Sequence, residues 1–281
     1  MKLAYSSLAC PGWTVEEAAD AVARYGFDGI EWRLADGEPI TSQTSPEVLR
    51  RVVEATRAHG LRVPALDSSC QLAQVDDAGR SKSVREGEFM VNLALTLGAP
   101  ALRVFGGLLP DGVSIGEALA PAAEVLRRIA QHAAAHDIQI LVETHDPAWS
   151  RSANAVALTT AAGVPSVGIL YDILHPCRMG ELGEQTVSTL GRHVKLVHVK
   201  DGHRPPDGSK EWPLCALGEG DVPLDSILAL LQAQGYDGWY TFEWEKRWHP
   251  ELAEPEIALP AGAAYVRALA ALESGSVSAS E

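Results

Sequence analysis

The chain alternates between short apolar runs, many of them β-branched, and longer segments rich in Ala and Leu. The short runs are typical of buried strands, and the longer segments have the spacing of apolar residues found in helices. The predicted strands are Leu3–Ser7, Gly29–Arg33, Leu61–Leu66, Ala101–Phe105, Ile138–Glu143, Val167–Asp172, Val194–Val199 and Trp239–Trp244. The predicted helices are Val15–Tyr25, Pro46–His59, Arg80–Leu97, Ile115–His136, Ala153–Ala162, Glu181–Gly191, Leu224–Gln234 and Pro255–Leu272.

Local signals at the helix ends agree with this order. Thr14, Ser45 and Ser114 precede three of the helices and are good N-terminal caps. The segments "YGFDG", "HGLRV" and "QGYDG" supply glycines where three helices stop. The sequence therefore predicts helix boundaries from local capping signals as well as helices from the periodicity.

Eight strand–helix units without a Pro/Ser-rich linker predict an α/β fold, a single (β/α)8 TIM barrel over residues 1–272. A doubly wound sheet is the alternative, but its first turn is normally glycine-rich, and "SSLACPGW" has no G-x-G-x-x-G pattern. Residues 273–281 are small and polar, which predicts a disordered C-terminal tail.

Composition narrows the class of partner. The chain has 37 acidic and 23 basic residues, for a net charge of -14, so it should repel a nucleic-acid backbone. No apolar run is long enough for a membrane span, and "MKLAYSSLACPGW" does not have the pattern of a signal peptide. The four cysteines lack close spacing, which indicates reduced thiols and a cytoplasmic location.

Polar residues follow the last four predicted strands, in "LVETHD", "YDILHP", "LVHVKDGHR" and "FEWE". Catalytic groups in a TIM barrel lie at these strand ends. Each segment places a good metal ligand after apolar residues, and unpaired buried carboxylates are costly unless they share a cation. Three carboxylates and one imidazole suit Mn²⁺, Mg²⁺, Co²⁺ or Zn²⁺. A network of salt bridges is the alternative.

These four segments resemble the metal-bearing strands of the sugar phosphate isomerase/epimerase family. This group of xylose-isomerase-like TIM barrels includes ketose 3-epimerases and inosose dehydratases. The segments "YGFDGIEWR" and "LGEGDVPLDSILALLQAQGYDG" are also similar to that family. The resemblance extends from the first strand to the last helix.

The resemblance implies one divalent metal ion and assigns roles by position. Glu143, Asp172, His198 and Glu243 match the metal ligands, and Glu143 and Glu243 match the pair that moves the proton. His175 matches a substrate-contacting histidine, and Arg204 resembles an arginine that ketose 3-epimerases place on the substrate.

The chemistry is consistent with those roles. A metal chelated by a carbonyl and its neighbouring hydroxyl acidifies the C–H between them and stabilises the enediolate. Two bases on opposite sides of the substrate would invert a stereocentre, which is epimerisation. One base that moves the proton between neighbouring carbons would interconvert an aldose and a ketose, and loss of a β-hydroxyl would dehydrate the substrate. The acids of "LGEGD" would repel phosphate, so a non-phosphorylated ketose, keto-sugar or cyclitol is the expected small-molecule substrate.

Further residues are candidates for binding the substrate. Arg103 could reach a substrate oxygen or a nearby carboxylate, Lys200 could face the pocket or the solvated rim, and Trp212 could form a wall for a sugar ring. Glu31 and Arg33 share a face of one strand, which indicates an ion pair with neighbouring strands. Glu245 is expected at the rim of the barrel, where solvation is the default.

Other functions are left open to different degrees. A dehydratase or a lyase that cleaves keto-glycosides would use the same metal site. An AP-endonuclease-like hydrolase needs extra histidines from early strands, but the first histidine is His59, at a predicted helix end. A sugar-binding barrel without activity would be expected to lack a ligand, and none is missing. Assembly into a homo-oligomer stays open.

Overall fold

The computed structural model describes residues 1–277 of the 281 in the sequence. Eight strands form one parallel sheet: β1 (Lys2–Ser6), β2 (Gly29–Glu31), β3 (Leu66–Gln71), β4 (Ala101–Phe105), β5 (Gln139–Glu143), β6 (Val167–Asp172), β7 (Val194–Val199) and β8 (Trp239–Phe242). The helices are α1 (Val15–Arg24), α2 (Pro46–Ala58), α3 (Asp77–Leu97), α4 (Ile115–Ala134), α5 (Ser152–Ala162), α6 (Leu174–Arg178), α7 (Gly183–Leu190), α8 (Leu224–Ala233) and α9 (Pro255–Val277).

The sheet closes on itself. Its strand order is β2-β1-β8-β7-β6-β5-β4-β3, so β2 and β3 are the two edges. The backbone N–H of Ile30 donates to the carbonyl of Arg62 at 3.0 Å, and that of Asp67 donates to the carbonyl of Trp32 at 3.0 Å. These bonds join the edges, and the predicted TIM barrel is confirmed.

The third strand lies further along the chain than the sequence predicts. The expected strand was Leu61–Leu66, whereas the structure places it at Leu66–Gln71. Pro64 lies in the middle of the expected segment and has no N–H to donate to a ladder, so regular pairing begins only after it. Asp67 therefore lies within a strand and not beyond its end.

Helix starts follow the predicted caps. Thr14 and Glu17 form a capping box at α1, and Ser114 and Glu117 form one at α4. Ser45 accepts a hydrogen bond at the start of α2. In each case a side-chain oxygen satisfies an N–H group that the helix itself leaves unpaired.

Five helices, α3, α4, α6, α7 and α9, differ from the prediction by more than one residue at an end. The short helix α6 forms where a loop was expected, and the predicted helix Glu181–Gly191 begins two residues later, at Gly183. Asp76 caps α3 by accepting from Gly79, so that helix starts before Arg80. The last helix, α9, continues to Val277, and residues 278–281 of the predicted tail lie outside the described part of the chain.

The barrel interior changes from apolar to polar over two residues at six of the eight strands, β3 to β8. Its apolar floor is a cluster of small and aliphatic side chains on which Trp239 packs: Ala65, Ala101, Leu141, Leu170 and Leu196. Side chains two positions apart on a strand point to the same face. The layer above the floor is therefore formed, in the same strand order, by Asp67, Arg103, Glu143, Asp172, His198 and Thr241, all of them buried.

The main hydrophobic core lies between the outer face of the sheet and the helices. None of the helices in residues 1–277 combines the length and apolar character that a membrane span requires. All four cysteines are free thiols.

Barrel closure can be tested at Gly29, where β2 approaches β3. A Cβ added to Gly29 would lie 2.5 Å from the Arg62 carbonyl oxygen and 3.1 Å from the Trp239 ring. We expect Gly29→Ala to lower the free energy of unfolding by about 1–3 kcal/mol, because the strands must separate to admit the methyl group. Urea denaturation measures this. Gly12→Ala is the control, since its Cβ has no atom within 4 Å; equal stability of the two variants would contradict the prediction.

Candidate metal centre and substrate cavity

Four buried side chains converge above the apolar floor. Glu143, Asp172, His198 and Glu243 each offer a ligand atom, and these atoms all lie within 4.8 Å of one another. Glu143 and Asp172 end β5 and β6, His198 lies in β7, and Glu243 directly follows β8. The structure thus brings together all four residues that the sequence predicted as ligands.

The donor set fits a divalent cation. Glu143 Oε2, Asp172 Oδ2 and His198 Nδ1 are buried and have no hydrogen-bond partner among the described residues. His198 Nδ1 lies 3.4 Å from Glu243 Oε2 and 3.8 Å from Glu143 Oε1. Buried carboxylate oxygens and an imidazole nitrogen that face one another are costly unless they share positive charge, and they are the ligands that such a cation prefers.

Lys200 supplies positive charge beside this group. Its Nζ lies 2.9 Å from Asp172 Oδ2 and 2.5 Å from Glu243 Oε2, and it also donates to Glu245. Burial alone would lower the pKa of Lys200, but the carboxylates outweigh it and raise the pKa well above its ordinary value. The sequence allowed Lys200 to face either the pocket or the solvated rim. The structure buries it against the acidic cluster.

Glu143 is held by a second buried cation, Arg103. Arg103 Nε lies 3.1 Å from Glu143 Oε2 and 3.4 Å from Asp67 Oδ1, while its Nη1 donates to the Ser68 carbonyl at 2.9 Å. Of the two partners expected for Arg103, a substrate oxygen or a carboxylate, the structure shows the carboxylate.

The two glutamates differ in their acidity. Burial raises the pKa of Glu143; Arg103 opposes this, and repulsion from Glu243 adds to it. Burial also acts to raise the pKa of Glu243, but Lys200 and His198 outweigh it and hold the pKa well below its ordinary value. Carboxyl groups whose surroundings push their pKa values apart are suited to opposite roles in proton transfer.

Glu31 has a partner that the sequence did not indicate. In the described part of the chain it pairs with His198 and not with Arg33: its Oε2 lies 2.9 Å from His198 Nε2, and its Oε1 accepts from Thr241. Burial and the nearby Asp67 raise the pKa of Glu31 to about 7, while His198 acts against them. Glu31 therefore has an ion-pair partner on another strand, as expected, but that strand is β7, which lies across the barrel interior and is not a neighbour of β2.

A cavity of about 350 Å³ lies beside the acidic cluster, whose four candidate ligands are not among the residues that line it. His175 and Trp212, both predicted to contact substrate, line it, and so does Glu245. His175 Nε2 is buried without a hydrogen bond and lies 3.7 Å from Asp172 Oδ2. Burial and the neighbouring His145 keep the pKa of His175 well below its ordinary value, so a neutral imidazole faces the cavity.

Arg204 does not line this cavity. It is exposed, its backbone N–H donates to Asp221 at 2.8 Å, and its guanidinium lies 5.2 Å from the Trp212 ring. The loop after β7 folds back on itself through a short pairing of Asp201–Gly202 with Leu214–Cys215, which carries Arg204 outward. The structure therefore gives no support to the predicted substrate contact of Arg204.

Sequence reasoning missed Arg178. It lines the cavity, and its Nη1 lies 3.3 Å from His175 Nδ1. The signal for it was the helical spacing of three residues from His175, which became visible only once α6 had formed. Lys210 and His249 also line the cavity and come from loops, where spacing predicts little.

Comparison with known proteins places the chain in a family. A family profile described as "Xylose isomerase-like TIM barrel" matches residues 19–273. The chain belongs to this family. It is 24% identical to an inosose isomerase from Bacillus velezensis, with 76% of this chain and 77% of that protein covered. It is 28% identical to a putative hydroxypyruvate isomerase from Streptomyces coelicolor, with 89% and 92% covered.

A third relative has another activity in its name. The chain is 24% identical to a 3-dehydroshikimate dehydratase from Pseudomonas aeruginosa, over 82% of this chain and 36% of that protein. Among solved structures, one described as "IOLI protein with a binding zinc atom" superposes with a TM-score of 0.80 at 19% identity. That alignment covers 96% of this chain and 98% of the other, and at this identity it shows the shared fold.

The compensating role of Lys200 can be tested in metal-free protein. Lys200→Met leaves Asp172 and Glu243 buried without their cation, so we expect the free energy of unfolding to fall by about 3–5 kcal/mol. Because the pKa of Lys200 is raised, the stability that its charge gives to the folded state is fully present at every pH below the ordinary lysine pKa. The loss should therefore persist throughout the neutral range of pH.

Urea denaturation with a chelator measures this loss. Excess Zn²⁺ should restore part of it, because a bound cation offsets the same carboxylates. Lys195→Met, on the exposed face of β7, is the matched control and should change stability by no more than about 0.5 kcal/mol. Equal effects of the two substitutions would contradict the assigned role of Lys200.

Proposed function

We propose that the protein is a divalent-metal-dependent isomerase or epimerase that moves a proton at a carbon next to a carbonyl. The observation that carries this proposal is the cluster of Glu143, Asp172, His198 and Glu243, whose buried ligand atoms all lie within 4.8 Å of one another. The relatives named as isomerases support the same class.

Glu143, Asp172, His198 and Glu243 would hold the metal ion. When bound there, a divalent ion supplies positive charge that stabilises the oxygens on which negative charge develops after proton removal. The remaining chemistry belongs to side chains of the chain itself.

Glu143 and Glu243 enter the four-residue cluster from different strands. They belong to β5 and the end of β8, and β6 and β7 lie between these strands in the barrel. One carboxylate can remove a proton from a substrate carbon while the other, in its acid form, returns a proton to the opposite face. This exchange inverts a stereocentre, whereas transfer between neighbouring carbons by one residue interconverts an aldose and a ketose.

The cavity residues suit a polar ring or chain of sugar size. Neutral His175 offers its Nε2 to a substrate oxygen, and its Nδ1 faces Arg178, which fixes the ring. Trp212 is buried at the cavity wall and provides an apolar face for carbon-bound hydrogens. A ketose, keto-sugar or cyclitol combines such polar and apolar surfaces.

The loop "LGEGD" argues against a phosphate on the substrate. The backbone N–H groups of Gly218 and Gly220 donate to Asp201 Oδ2 at 2.9 and 3.0 Å, and that of Val222 donates to Asp201 Oδ1 at 3.2 Å. The backbone N–H groups that could bind a phosphate therefore already donate to the carboxylate of Asp201. We infer a non-phosphorylated substrate.

Dehydration is the second candidate, supported by the relative named as a 3-dehydroshikimate dehydratase. Glu143 would take the same proton, and a hydroxyl on the next carbon would then leave. Such a departure needs an acid near the leaving oxygen, and the cavity wall offers the titratable side chains of His145 and His249 for this role. The two reactions share the removal of a proton from carbon. Dehydration then releases water, whereas isomerisation or epimerisation returns a proton to carbon.

The proton-transfer roles are tested by exchange of a substrate C–H proton with solvent deuterium, followed by NMR over a panel of free ketoses, 3-keto-sugars and inososes. At saturating Mg²⁺, we expect Glu143→Gln and Glu243→Gln each to slow exchange about 10²- to 10⁴-fold, as expected for loss of general acid–base catalysis. The products distinguish epimerisation, isomerisation and dehydration.

Two controls separate proton transfer from metal binding. Asp172→Asn alters a proposed ligand that has no assigned proton, so at saturating metal it should retain more exchange than either glutamate variant. Glu219→Gln changes an exposed residue and should leave exchange unchanged. Full exchange in both glutamate variants would overturn the acid–base assignment.

A further inference from the structure

The two ring nitrogens of His198 face different groups. Nδ1 faces Glu143 and Glu243 at 3.8 and 3.4 Å and has no hydrogen bond, whereas Nε2 lies 2.9 Å from Glu31 Oε2. The ring is fully buried, so neither nitrogen can exchange its partner for water. A proton on Nε2 satisfies Glu31 and leaves the Nδ1 lone pair directed at the acidic cluster.

Glu31 is itself held from two sides. It is fully buried at the end of β2, one carboxylate oxygen faces His198, and the other accepts from the hydroxyl of Thr241. Thr241 lies directly opposite His198 in the register of β7 and β8. Three strands thus contribute to one chain of hydrogen bonds that ends on the Nε2 side of His198.

Glu31, Asp67 and His198 also meet the distance requirement for a second metal site, with ligand atoms within 4.8 Å of one another. Their surroundings oppose that role. Arg103 Nε already lies 3.4 Å from Asp67 Oδ1, so a second cation would lie beside a guanidinium. Glu31 also has both oxygens engaged in hydrogen bonds. A supporting network explains this group better than a second ion does.

We propose that Glu31 is the positioning residue of the metal centre. It accepts the Nε2–H of His198 and so directs Nδ1 to the divalent ion, and Thr241 holds Glu31 in the orientation that this requires. The proposal rests on the metal centre of the proposed function but not on the reaction, so it can be tested without substrate. Carboxylate partners of ligating histidines orient the ring and increase its basicity.

Zn²⁺ binding to the metal-free protein, measured by calorimetry in competition with a chelator, provides the first test. We expect one ion per chain in the wild type. Glu31→Ala should weaken binding about 10- to 100-fold, which is the usual effect of losing such a partner. Thr241→Val keeps the shape of the side chain and should weaken binding less, because Glu31 loses only one of its two anchors.

Two variants separate positioning from charge. Glu31→Gln keeps an oxygen that can accept the Nε2–H, so it should bind Zn²⁺ more tightly than Glu31→Ala does. Asp67→Asn neutralises a buried carboxylate of the same cluster without touching the His198 hydrogen bond, and its loss of affinity should be much smaller than that of Glu31→Ala. Circular dichroism and thermal unfolding confirm that each variant folds.

Nitrogen-15 NMR of histidine-labelled, zinc-loaded protein provides a readout that overall stability does not affect. In the wild type the proton should reside on Nε2 and exchange slowly with water, with Nδ1 bound to zinc. In Glu31→Ala the Nε2–H should exchange faster. Zinc on Nε2, a second ion per chain, or equal affinity of the wild type and Glu31→Ala would each overturn the proposal.

The same data distinguish this inference from the proposed function. Unchanged zinc affinity in Glu31→Ala would overturn the positioning role and leave the reaction untouched. Conversely, normal zinc binding that depends on Glu31, without exchange activity on any substrate of the panel, would overturn the reaction and leave the positioning role standing.

Discussion

The structure depends on the neutralisation of charge inside the barrel. Five carboxylates, Glu31, Asp67, Glu143, Asp172 and Glu243, are buried within one small volume. Ionised groups removed from water are tolerated when they are paired and hydrogen-bonded. Arg103 and Lys200 compensate part of this charge from β4 and from the end of β7, and His198 links the two halves of the cluster. His198 Nδ1, which faces Glu143 and Glu243 at the candidate metal centre, makes no hydrogen bond among the described residues.

The position of this charged layer follows from the pleat of the strands. Leu141 and Glu143 share a face, as do Leu170 and Asp172, and Leu196 and His198. The apolar member of each pair fills the barrel floor, and the polar member lies one step nearer the carboxyl end of the strand. The floor excludes water from below, which strengthens every electrostatic interaction above it. Packing and chemistry are therefore consequences of the same two-residue spacing.

The polar segments after β6 and β7 surround the candidate metal centre, and they differ in which residues they bring to the cavity. The turn after β6 becomes helix α6, which brings His175 and Arg178 to the cavity. In the loop after β7, the Asp201 carboxylate accepts hydrogen bonds from four backbone N–H groups, and these bonds give the segment its shape. That shape keeps Trp212 at the cavity wall and moves Arg204 outward. Loop hydrogen bonds thus decide which of the neighbouring polar residues can meet a substrate.

The sequence by itself determined the eight units and most helix starts, because periodicity and caps are local properties of the chain. Strand-end positions narrowed the candidate metal ligands, and the family resemblance selected the four residues that the structure brings together. Only the tertiary structure decided that Glu31 pairs with His198 and not with Arg33, since the strands that carry the pair are separated by β1 and β8 in the closed barrel. It also decided that β3 begins after Pro64 and that Lys200 is buried among carboxylates. Such contacts depend on barrel closure and strand register, which bring together residues that no local pattern relates.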